Sequence, residues 1–182
     1  MIRLLAVMLL LAGAAAAQTT PASNARLDDL LTALRNAPNE ESAAALEAQI
    51  AALWQQQASP AVRLLLSRAA RELGEQAGTD ALDSYDAALD LEPDLIEAWR
   101  GRATARLSLG DTTGAVRDIQ EVIKREPRDF KAWQTLSRIA EARGDWRGAL
   151  AAWQKFLDLD PHAPGGQDRL KDLKRRALGE NA

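Results

Sequence analysis

The sequence predicts an all-α fold of stacked helix pairs, a solenoid with a helical cap at each end. Three observations predict it. A 34-residue period runs through the second half of the chain: Trp99 and Trp133, Gly110 and Gly144, Asp111 and Asp145, Ala115 and Ala149, and Pro127 and Pro161 are each 34 apart. Such a period marks a repeat architecture in which each unit buries its apolar face against its neighbours. Apolar residues recur at helical spacing, and the alternation a half-buried strand would need is missing. Alanine, leucine, glutamate and arginine dominate, and aromatic residues make up 4%.

Met1–Ala17 reads as a secretory signal. Arg3 supplies the positive start, Leu4–Leu11 the apolar core, and Ala15-Ala16-Ala17 the small residues for cleavage. The apolar run from Leu4 to Ala17 is shorter than the roughly 18 residues a membrane span requires, and no second such run exists. The mature chain is therefore expected in the periplasm. The chain has no cysteine, which removes disulfides, thiolate nucleophiles and Cys-based zinc sites.

Residues 18–58 are expected to hold a linker and a helical hairpin. Gln18–Ser23 is polar. Leu27, Leu30, Leu31 and Leu34 line one face of a short helix ended by Ala37-Pro38. Asn39 is placed to cap a longer helix through about Gln57, with Leu46, Ile50, Leu53 and Trp54 on its apolar face. The hairpin is expected to cover the open side of the first repeat, since terminal helices of a solenoid act as caps. The alternative is that it forms an interface.

Three units occupy residues 59–163, at 62–95, 96–129 and 130–163. In unit two, Trp99, Ala103 and Leu107 share a helical face, which also carries Arg102 and Arg106. Leu109-Gly110-Asp111 then turns the chain, because glycine accepts the left-handed conformation and aspartate caps the next helix. Ala115, Ile119, Val122 and Ile123 continue the apolar face until Glu126-Pro127 stops it. Unit three repeats this with Trp133, Ser137, Gly144-Asp145, Ala149, Trp153 and Pro161. Small residues at Ala103/Ser137 and Ala115/Ala149 permit close crossings, and large ones fill the space beside them. Unit one is weaker: Leu65, Ala69, Ala81, Tyr85, Ala88 and Pro93 match, but Gln76 stands where the turn glycine belongs. Residues 164–182 are expected to form a final capping helix and tail, begun at Pro164, with Leu170, Leu173, Ala177 and Leu178 facing the last repeat.

This pattern resembles the tetratricopeptide repeat (TPR) family over Val62–Ala163, and in particular its short secreted bacterial members. The resemblance implies that the first helix of each unit lines a concave binding face. The lining residues would be Arg63, Leu66 and Ala70, then Glu97, Arg100, Thr104 and Leu107, then Lys131, Gln134, Arg138 and Glu141. Four cations against two anions make that strip basic within a chain of formal charge −3. It favours an acidic segment or a free C-terminal carboxylate. The Lys and Asn clamp of chaperone-binding members is absent.

The expected function is a non-catalytic scaffold of the cell envelope that binds protein or peptide. The alternative is a self-assembling structural module of envelope biogenesis, paired through its terminal helices. No cofactor, metal or nucleic-acid partner is implied. His162, the one histidine, has no second histidine or cysteine to join it in a metal site. Asp158 and Asp160 only close a repeat helix. The five tryptophans are expected in the core. Arg102 and Arg106 stand at positions the family fills with apolar residues, so each needs a carboxylate: Asp118 for Arg102, or Glu72 for Arg106.

Overall fold

The computed structural model describes residues 21–179. The expected signal at 1–17, residues 18–20 of the linker and the last three residues of the tail lie outside them. Nine helices and no strands are found among the described residues. They are α1 (Pro21–Arg35), α2 (Glu40–Gln56), α3 (Pro60–Gly74), α4 (Gly78–Leu91) and α5 (Ile96–Ser108). α6 (Thr112–Arg125), α7 (Phe130–Ala142), α8 (Trp146–Leu159) and α9 (Gly166–Leu178) complete the chain. Pro21–Ser23, read from sequence as linker, is already helical.

The repeat units form through the local contacts their sequence dictates. α3–α4, α5–α6 and α7–α8 are antiparallel pairs stacked in sequence. Gly110 and Gly144 take φ of +81° and +71°. Asp111 and Asp145 then accept hydrogen bonds from the Gly114 and Gly148 N–H at 2.8 and 2.9 Å, capping α6 and α8. Asn39 caps α2 in the same way. Ala103, Ser137, Ala115 and Ala149 are fully buried at the helix crossings. Trp99 and Trp133 each donate from the indole nitrogen to the carbonyl of the closing proline of the previous unit, Pro93 and Pro127, at 2.7 and 2.9 Å. In unit one the turn survives without its glycine: Gln76 itself adopts φ of +61°.

Trp54 and Trp153 are core residues. Trp99, Trp133 and Trp146 are only partly buried, each at the edge of a cluster. At the C-terminus the helix begins at Gly166, two residues after Pro164, because Gly165 enters it in the left-handed region. Leu173 is fully buried against unit three, but Leu178 is exposed.

The N-terminal hairpin does not sit where the sequence placed it. It does not cover the open side of unit one. α1 packs on α8, and α2 lies against α5 and the start of α7. Leu27, Leu31, Leu34, Ile50, Leu53 and Trp54 form one cluster with Phe130, Trp153, Phe156 and Leu157. Arg128 pairs with Asp28 at 2.8 Å, and Arg35 donates to the Asp158 carbonyl at 3.0 Å. The physical reason is the size of the apolar surface on offer. Unit three presents two phenylalanines and a tryptophan, whereas the outer side of α3 carries exposed Ala61, Leu64, Arg68 and Arg71. Burial of large aromatic surface is the dominant favourable term.

Candidate functional site

The first helices α3, α5 and α7 form one face, and α2 crosses it. Trp54 of α2 engages both α5 and α7. Its ring lies 5.7 Å from Phe130 between centroids, and the Arg100 guanidinium stands 4.7 Å over it. Arg100 is 7% exposed. It bonds to Asp129, which also caps α7, and to Glu97 one turn earlier. Burial alone would lower the Arg100 pKa, but Asp129 and Glu97 outweigh it and hold the guanidinium above its usual value. Burial pushes the Asp129 carboxyl up, with Arg100 and the Ala132 N–H working against that. Arg100 is thus a structural cation, already paired, and not the open ligand-binding group the sequence suggested.

The expected strip is divided in two. On one side of α2, Arg63, Leu66, Ala70 and Glu97 line a cavity of about 280 Å³ together with Gln55, Ser67 and Tyr85. Arg63 is exposed and donates one guanidinium N–H to the Ala58 carbonyl at 2.7 Å. On the other side, Lys131 and Gln134 line a second cavity of about 400 Å³ with Glu47, Ala51 and Phe156. Arg138 is exposed, and Glu141 is taken by Arg169 of α9. Thr104 is half-buried and donates to the Arg100 carbonyl at 3.2 Å. Gln55 and Tyr85 were missed. The apolar stripe of α2 was the signal that a helix would be buried somewhere, but nothing local said that it would be buried here.

The unusual arginines of unit two are both partnered. Arg102 forks onto Asp118 at 3.0 and 2.9 Å and reaches Asp86 at 2.6 Å. Arg106 also bonds Asp118, at 2.6 Å, rather than the Glu72 expected from sequence. Glu72 is occupied by Arg68 and Ser84. Asp118 is fully buried, so one carboxylate serves two guanidinium groups.

Among the described residues, no group of three or more His, Cys, Asp or Glu side chains is arranged to hold a metal. No helix among them is long and apolar enough to cross a membrane.

No family model matches the chain. A TPR repeat-containing protein of Rhizobium etli is 30% identical over 154 residues, which is 85% of this chain and 76% of that protein. The TPR domain of Sgt2 from Aspergillus fumigatus superposes with a TM-score of 0.62 at 23% identity, over 69% of this chain and 87% of that one. The first TPR domain of Spaghetti (RPAP3), solved with the HSP90 peptide SRMEEVD, superposes with a TM-score of 0.60 at 18% identity, over 65% and 94%. These two structures speak to the fold alone.

Proposed function

The chain belongs to the tetratricopeptide repeat family, and on that footing we propose that it is a non-catalytic scaffold of the cell envelope that binds a protein or peptide segment on its first-helix face. The observation that carries this is the cavity of about 280 Å³ left open beside α2, with Arg63 at its edge and Leu66 and Tyr85 at its floor. It combines apolar lining with a few polar groups, as binding clefts do. Arg63, Lys131 and Arg138 are the cations that stay on this face, and they suit an acidic segment or a chain-end carboxylate. A related fold holds the peptide SRMEEVD, which is itself acidic. The signal-like residues 1–17 support delivery to the periplasm. The mechanism is surface recognition rather than turnover. Self-assembly through the terminal helices has less to offer, because most of their large apolar residues, Leu27, Leu31, Leu34, Ile50, Leu53, Trp54 and Leu173, are buried within one chain.

A pull-down from envelope extract tests this. The native chain is compared with an Arg63→Glu/Lys131→Glu/Arg138→Glu variant whose circular dichroism is unchanged. A protein retained by the native chain and lost by the variant supports the site. Equal capture by both moves binding to another surface. Capture of only the chain itself favours the self-assembly alternative.

A further inference from the structure

Asp160 ends α8 and is fully buried. Neither of its carboxyl oxygens is fully satisfied: the nearest donor, the backbone N–H of His162, favours the charged form but falls short of good hydrogen-bonding geometry. The same repeat position is satisfied in the other two units. Glu92 accepts from the Ser59 N–H at 3.0 Å, and Glu126 accepts from the N–H and guanidinium of Arg128 at 3.0 and 2.9 Å. In unit three the partner is another acid: the Glu47 carboxyl of α2 lies within hydrogen-bond reach of Asp160. Two carboxyl groups at that distance need a proton between them.

The surrounding charges do not supply a substitute. Lys131 of α7 lines the same cavity as Glu47 but does not bond Asp160. Lys155 is engaged by Asp158 at 3.5 Å on the outer side of α8. Arg35 of α1 bonds the Asp158 carbonyl. Lys171 of α9 pairs with Asp168 at 3.0 Å. The His162 side chain is exposed, and only its backbone N–H acts on Asp160. Burial first, and Glu47 second, push the Asp160 carboxyl up to about 7, with that N–H opposing.

We propose that Glu47 and Asp160 share a proton and form a pH-sensitive catch that holds the α1–α2 hairpin over the first-helix face. Loss of the proton leaves a carboxylate on Asp160, buried without a well-placed donor and facing a second acid, and like charges repel. The hairpin is the part that gives way. Its covalent link to the repeats is the short Gln57–Ser59 joint, and the rest of its hold is the apolar cluster with unit three and the Arg128–Asp28 and Arg35–Asp158 contacts, whereas Asp160 belongs to the stacked repeats. The docked form keeps a proton that the undocked form, with Asp160 back near its ordinary 3.8, gives up. Docking is therefore favoured in acid and loses that advantage as pH rises through about 7. The surface so uncovered, with Phe130, Phe156 and Arg100, suits an amphipathic helix of α2's own pattern.

The chain has no cysteine, so Gln49→Cys on α2 and Gln154→Cys on α8 give two unique sites for spin labels. Pulsed electron paramagnetic resonance then reads the distance between them in acid and above neutrality, with no partner present. The expected result is one short distance in acid. Above neutrality a longer, broader population should grow, raising the undocked-to-docked ratio by at least about tenfold. Asp160→Asn and Glu47→Gln, which supply a permanent donor, should keep the short distance under both conditions. An unchanged distribution in the native chain overturns the proposal. So does an equal shift in both amide variants, a hairpin undocked even in acid, or a loss of helical circular dichroism accompanying the longer distance.

Discussion

Arg100 of α5 stands 4.7 Å over the indole ring of Trp54 of α2. That contact joins the N-terminal hairpin to the repeats and closes the middle of the face where a ligand was expected. A cation over a tryptophan face is stabilising, more so when both are shielded from water. Trp54→Ala should lower stability by about 3 kcal/mol, through lost burial and the cavity left against Phe130. Urea unfolding measures it. A loss below about 1 kcal/mol would show that the ring is not tightly packed between Phe130 and Arg100.

Asp118 holds Arg102 and Arg106 together. Asp118→Ala leaves two largely buried guanidinium groups without their shared partner. It should cost about 3 kcal/mol, since breaking a buried pair strands the remaining charge. Asp118→Asn should cost less, because the amide oxygen still accepts one bond. Thermal denaturation of the two variants side by side checks the order.

Gln76 bears a local conformational strain that glycine would not. At φ of +61° its Cβ crowds the following carbonyl. Gln76→Gly should raise stability by about 1 kcal/mol. The same substitution at a helical position would do the reverse, so a gain seen in urea unfolding identifies the turn geometry as the cause.

Tyr85 is the one tyrosine of the chain. Burial, helped by the negative charge of Glu97, pushes its hydroxyl up to about 12 against an ordinary 10.0. The folded state therefore holds a proton that the unfolded state releases, and stability falls as pH rises from 10 towards 12. The phenolate absorbance should appear about two pH units later in the native protein than in urea. Glu97→Gln should bring the native midpoint down, since it removes one of the two causes that raise it.

The helix pairs, their turns and their caps were legible in the sequence because each rests on contacts a few residues apart. Gly110 and Gly144 turn the chain, Asp111 and Asp145 cap the helices after those turns, and Trp99 and Trp133 reach back six residues to a proline carbonyl. The need for a carboxylate at Arg102 was also legible, because an unpaired buried charge is too costly to persist. The position of the hairpin was decided by the tertiary structure alone. An apolar stripe such as Leu46, Ile50, Leu53 and Trp54 states that one face of α2 must leave water, but burial is non-directional and does not choose the partner. Unit three won that choice with Phe130, Trp153 and Phe156, all more than 70 residues further along the chain. The same docking turned Arg100 from a groove cation into a core residue, split the basic strip into two cavities and set Glu47 against Asp160.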